Sequence, residues 1–189
     1  MRSGIRHGAA DERQRHSHVR RRVLAALAAI VVAFCAVTAR LLVWPAQGMP
    51  ARVSAIVMLA GPGDRLPVAL KPAREHRAPV LAVSRGNQGY GGPCPSPVPG
   101  VKLICFEPSP ATTQGEAAAV GRMARQFRWN SVVLVTTRTQ DTRARIITER
   151  CFGGSTYVVT APLPLGQWPY EIAYGWGALF KAVFVVRSC

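Results

Sequence analysis

Four consecutive apolar residues, Val132-Val133-Leu134-Val135, followed at once by Thr136-Thr137-Arg138, restrict the chain more than any other stretch. The run is rich in β-branched side chains and shows no polar alternation. It predicts a strand buried on both faces, and such strands belong to parallel sheets covered by helices. A helix-compatible run then reaches Cys151. In open sheets of this kind, ligands bind just beyond the carboxyl ends of the strands. Thr136, Thr137 and Arg138 fall at that place. Two hydroxyls and a planar guanidinium fork suit an anionic or polyhydroxyl ligand. The same threonines are equally ordinary as helix caps.

The pattern recurs along the chain. Apolar runs at 53–59, 79–83, 101–106 and 155–160 predict four more strands. Helices are predicted from Asp64 or Arg65 to Glu75, and from Thr112 or Thr113 to about Phe127. The second of these carries a Gln or Glu placed for a capping box. A last helix is expected over 170–186, burying Ile172, Trp176, Leu179, Phe180 and Val183. Residues 87–100 and 162–169, rich in Gly and Pro, read as loops. Strands alternating with helices imply an α/β domain with right-handed crossovers. The expected product is a Rossmann-like, three-layer α/β/α domain over 53–189, with a five-stranded, mainly parallel sheet. Gly61 and Gly63 begin a glycine fingerprint, but Leu66 occupies its third position. A dinucleotide is therefore not indicated, whereas a strand-to-helix turn whose amides face an anion is.

Ahead of this domain the composition changes twice. Residues 1–22 are arginine-rich, lack apolar periodicity and read as a disordered basic tail. Residues 23–44 are apolar apart from Thr38 and Arg40. As a helix they reach about 33 Å, enough to cross a bilayer core of about 30 Å. Arg40 lies near enough to the far end to snorkel, and Trp44 sits where an interfacial aromatic belongs. An uncleaved anchor is the favoured reading. The rival is a signal peptide cut near Val37-Thr38-Ala39. In both, the arginine cluster stays in the cytoplasm and the domain lies outside the plasma membrane. Residues 45–52 read as a tether.

The chain carries a formal net charge of +15. Beyond Pro45 the basic residues are scattered and not interleaved with aromatics, so nucleic acid is not an expected partner. Anionic headgroups or a phosphorylated envelope component fit better. Cys94, Cys105, Cys151 and Cys189 make an even set in a domain expected to be exported. Three pairings are possible; Cys94–Cys105 is favoured by the short loop between them, leaving Cys151–Cys189. No C-x₂₋₄-C spacing suggests zinc, and no metal or cofactor is expected. His76 is the only histidine beyond the apolar segment, which argues against a nucleophile–histidine arrangement. Glu107 and Glu116 remain as a candidate acid/base pair.

Four segments together resemble the YdcF-like group, which includes ElyC and SanA. They are Ile56-Val57-Met58-Leu59-Ala60-Gly61 with Arg65, Leu81-Ala82-Val83-Ser84-Arg85-Gly86, Glu107-x-Ser109-x-x-Thr112-x-Gln114, and Val135-Thr136-Thr137-x-x-Gln140-x-x-Arg143-Ala144. The resemblance implies a Rossmann-like sheet behind a membrane anchor, and a role in envelope integrity through a phosphorylated lipid or glycan precursor. It carries over Arg65, Ser84, Ser109, Thr112, Thr136 and Arg143 as ligand-binding residues, and the strand-end turns add Gly61, Thr137 and Gln140 as candidates. Gln140 stands where the group has His, Gln114 where it has Glu, and Gly115 where it has Asn. A proton-transfer role at those positions does not carry over; Glu116, one residue on, is the substitute candidate. The departures favour a second possibility, a non-catalytic envelope module binding an anionic ligand or a partner protein.

Overall fold

A computed structural model describes residues 5–86 and 94–189, with backbone alone for 5–15 and 17. The chain forms two compact units, Met1–Ala39 and Arg40–Cys189. The first is helical: α1 spans Ile5–Thr38. The basic segment from Ile5 is thus helix and not the disordered tail expected. Arg, Ala, Glu and Gln are good helix formers, and extending an existing helix is far cheaper than nucleating one. The apolar run supplies that nucleus. Among the described residues one helix is long and apolar enough to cross a membrane, over His18–Val43, and its apolar side chains from Val19 to Val37 are exposed.

A π-helical turn, Ala39–Val43, leads into the second unit. Its sheet comprises β1 (Ala55–Met58), β2 (Val80–Ser84), β3 (Lys102–Phe106), β4 (Ser131–Thr137) and β5 (Ser155–Ala161). The order is β3-β2-β1-β4-β5, parallel throughout. Helices α2 (Arg65–Arg74), α3 (Thr113–Phe127), α4 (Arg138–Cys151) and α5 (Trp168–Phe180) complete it, with a π turn at Lys181–Val185. The Gly/Pro-rich loop expected at 87–100 falls partly outside the described residues, at 87–93.

Side-chain alternation along the strands builds two cores. Ala55, Val57, Leu59, Val80, Ala82, Val132 and Leu134 pack with Val120 and Ala124 of α3 and Ala144 of α4. Ile56, Met58, Leu81, Val83, Val133 and Val135 pack with Ala69 and Ala73 of α2 on the opposite face. Each such fully buried Val, Leu or Ile contributes about 1.5–3 kcal/mol, which is why the β-branched runs dictate the sheet.

The tether is fastened rather than free. Gly48 bridges Val158 in antiparallel sense. Arg77 donates to the carbonyls of Met49, Pro50 and Ala51, and Arg145 to those of Ala46 and Thr156. The Gly48 bridge and the Arg145 bond to Thr156 engage two positions along β5, an edge strand whose open groups are otherwise a liability. Disulfides join Cys94 to Cys105 and Cys151 to Cys189, with Cα–Cα separations of 6.1 and 4.9 Å.

The last helix differs from the expectation. Its buried side is Glu171, Gly175 and Leu179, continued by Ala182. Ile172 and Trp176 are half-buried, while Phe180 and Val183 face outward. Glycine at 175 admits Leu42, which lies 3.3 Å from where a Cβ would stand. A large apolar residue there would exclude it, so the small residue decides which face packs.

Candidate functional site at the carboxyl edge of the sheet

The chain passes from β1 through α2 to β2, and later from β3 through α3 to β4 on the other side of β1. The turns after β1 and β4 therefore diverge, opening the crevice where ligands bind in such sheets. Register places the candidates. Met58 is level with Val83 and Val135. One residue on, Leu59 is flanked by Ser84 and Thr136, and all three face the α3–α4 side, as Leu59 does in the core. Thr137, next along, points to the α2 side.

Arg65 organises the first turn. It is buried, and it donates from Nε to the Pro62 carbonyl (2.9 Å) and from Nη1 to the carbonyls of Leu59 (2.9 Å) and Ala60 (2.7 Å). Nη2 donates to Gln140 Oε1 at 3.1 Å. Burial lowers its pKa to about 10, partly offset by Glu116 and Glu171, so it remains charged at neutral pH. Gly61 takes φ +133°, and a Cβ there would stand 2.6 Å from Arg65 Nη2. The glycine thus serves the guanidinium.

Glu116 faces this turn from the first helical turn of α3. Its Oε1 accepts the Ala60 amide at 2.7 Å. Burial raises its pKa, opposed by the Ser84 hydroxyl, the Ala60 amide and the guanidinium charges of Arg65 and Arg143. The capping box is not formed: Thr112 caps α3 by accepting the Gly115 amide, and Glu116 turns inward instead. The Cβ of any residue at 115 would collide with the Pro110 carbonyl, so the asparagine implied by the resemblance has no room here.

Arg143, in α4, contrasts with Arg65. It is half-buried, enters no salt bridge among the described residues, and its Nε is buried without a hydrogen-bond partner. Its guanidinium carbon lies 5.5 Å from the Tyr174 ring centroid. Ser84 Oγ and Thr136 Oγ1 are likewise buried without a hydrogen bond of ordinary geometry. Buried polar atoms of this kind are uncommon and mark places where a ligand or ordered water completes the network.

The remaining candidates divide. Gln140 is buried and occupied by Arg65. Thr137 stands at the N-cap of α4, yet its side chain makes no capping bond; its hydroxyl is 3.5 Å from that of Thr139. Ser109 and Thr112 are exposed on the approach to α3. Glu107 is exposed and pairs with Arg85 at 3.5 Å, so it shares nothing of the Glu116 environment. Arg138 is exposed and donates to the Val43 carbonyl.

Sequence reasoning missed three buried polar residues. Glu171 of α5 accepts from Thr139 Oγ1 at 3.4 Å. Asp141 is buried, with Oδ1 3.5 Å from Arg145 and Oδ2 without a partner; burial raises its pKa to about 6, opposed by Arg145 and Arg40. The signal for Glu171 was its place as the lone acid in an aromatic stretch, Trp168-Pro169-Tyr170-Glu171-Ile172. Among the described residues no cluster of His, Cys, Asp or Glu is placed to hold a metal ion. No family model matches the chain, and neither the curated proteins nor the solved structures provided a match.

Proposed function

We propose that this is a membrane-anchored, YdcF-like envelope protein that binds or acts on a phosphorylated lipid or glycan precursor. The arginine-rich segment would stay in the cytoplasm and the disulfide-bonded domain outside the plasma membrane. One observation carries the ligand assignment: Thr136 Oγ1 and Arg143 Nε lie buried and without hydrogen-bond partners near the carboxyl edge of β1 and β4, and Ser84 Oγ beside Glu116 makes no hydrogen bond of ordinary geometry. Two hydroxyls and a guanidinium supply the donors an oxyanion needs, and the local helix N-termini add positive potential. Glu116, its pKa raised by burial, is the group available to hold a proton for a leaving oxygen.

A second reading is favoured by one detail. Glu116 is fixed to the Ala60 amide and Gln140 to Arg65, which leaves both engaged within the protein. That suits a non-catalytic module for an anionic ligand or a partner protein. Full-length protein in detergent micelles, titrated with a polyprenyl monophosphate, tests the shared claim. Saturable binding is expected, weakened about ten- to a hundredfold by Arg143→Ala, since a charge-assisted contact is worth roughly 1.5–3 kcal/mol. Absence of binding by the unmodified protein overturns the ligand assignment. Turnover of a polyprenyl-diphosphate-linked sugar, abolished by Glu116→Gln, separates the enzyme from the module.

A further inference from the structure

The outer side of α5 and the π turn after it is apolar and uncovered. Tyr170, Tyr174, Phe180, Phe184 and Val185 are exposed, Phe180 by 61% and Phe184 by 56%. Tyr170 stacks on Tyr174, and Phe180 lies against Phe184 at 4.8 Å between centroids. Soluble proteins seldom leave a contiguous aromatic stripe of this kind open, and it marks a surface that something covers.

Continuity of the chain identifies the cover. The membrane-length span ends at Val43. Its last residues belong to the folded unit: Leu42 is buried and lies against Gly175 of α5. The Leu41 carbonyl accepts from Thr142 Oγ1 at 2.6 Å, and the Val43 carbonyl accepts from Arg138. The span has 26 residues, about 39 Å as a helix at 1.5 Å per residue, against a hydrocarbon core of about 30 Å. A helix of that length spanning a bilayer would bring its final turn to headgroup level, together with the segments of α4 and α5 that contact Leu41, Leu42 and Val43. Trp44, exposed immediately after the span, is of the type enriched at that level. Lys181 on the outer side, Arg187 six residues on, and Arg138, exposed and donating to the Val43 carbonyl, supply cations for anionic headgroups.

Resting on the membrane-anchored reading above, we infer that the aromatic side of α5 and its π turn lies on the bilayer surface, with anionic lipid as its partner. Tyr174 sits under Arg143, and Glu171 joins the buried polar cluster through Thr139. The same helix thus links the lipid surface to the candidate site, which favours a ligand whose phosphate is carried on a membrane-resident chain.

The test uses full-length protein reconstituted in vesicles of phosphatidylglycerol and phosphatidylcholine. In a Cys35→Ser background, an environment-sensitive fluorophore is attached to Phe180→Cys or, as control, to Lys71→Cys. Lys71 is exposed on α2, on the opposite face of the sheet. Phe180 is exposed, so neither substitution removes core packing. The expected result is a blue-shifted emission at position 180 that is lost to lipids spin-labelled near the headgroup, with position 71 unchanged. A label at 180 that behaves as at 71, in protein that floats with the vesicles, overturns the inference while leaving the anchor intact. Shielding at 180 that ignores spin-labelled lipid and grows with protein density assigns the face to a second copy and also overturns it. Protein that fails to float removes the anchor and the inference together.

Discussion

Two arginines, each one turn or more beyond a strand end, hold opposite positions in the chemistry of the sheet edge. Arg65 donates four hydrogen bonds within the protein, three of them to the carbonyls of its own turn. Arg143 retains a buried Nε without a partner and rests on an aromatic ring. In sequence the two look alike. Their difference comes from the backbone around them. The turn after β1 runs through a glycine at φ +133°, which aims three carbonyls at one guanidinium. The turn after β4 enters α4 at once, so its carbonyls are used by the helix. A guanidinium is a ligand group only where the local backbone leaves its donors over.

Replacing Arg65 should destabilise the fold more than any other single substitution at the sheet edge. Arg65→Ala strands three carbonyls and Gln140 Oε1 and removes one of the two guanidinium charges that favour the ionised form of buried Glu116. Breaking a buried charged network of this sort costs about 3–5 kcal/mol, read as a lower urea midpoint. A folded variant with unchanged stability would place Arg65 in the ligand class with Arg143.

The two disulfides close loops of different length, one on β3 and one between the end of α4 and Cys189. The bridges close 38 and 11 residues. Loop-closure entropy predicts losses of about 4 kcal/mol for Cys151→Ser with Cys189→Ser, and about 3 kcal/mol for Cys94→Ser with Cys105→Ser. Thermal melts of the two double variants should rank in that order.

Asp141 supplies a pH signature on the Arg143 side. Burial sets its folded pKa at about 6, above the ordinary value of 3.8. The folded state then holds the proton more tightly than the unfolded chain. Its contribution is full below about pH 4 and is lost as pH rises to about 6, by up to roughly 3 kcal/mol. Asp141→Asn should flatten the stability profile across that window; an unchanged slope would assign the titration elsewhere.

Much of the fold was legible because one physical rule governs it. Strands buried on both faces must be continuously apolar, and the runs around Val57, Leu81 and Val133 are. The pairing of Cys94 with Cys105 followed from the short loop between them, and that of Cys151 with Cys189 from what this left. The site was legible to the level of the turn, and less so to the side chain. Glu116 reads as a capping residue by spacing, but the Ala60 amide outcompetes the helix terminus for it. Arg65 and Arg143 are indistinguishable without carbonyl positions. The outward turn of Phe180 was hidden because helical periodicity shows two apolar sides on α5, and the small residue Gly175 selects the buried one. Helix from Ile5 was missed because a polar segment carries no periodicity of its own when a neighbour nucleates it.

The account stands on Arg143 being kept for a ligand while Arg65 is kept for the fold. Calorimetric titration of Arg143→Ala with a polyprenyl monophosphate, alongside its thermal melt, addresses that directly. The account predicts affinity reduced about ten- to a hundredfold with the melting temperature of the unmodified protein. Unchanged affinity in a folded variant, or a variant that unfolds as Arg65→Ala is expected to, would contradict it.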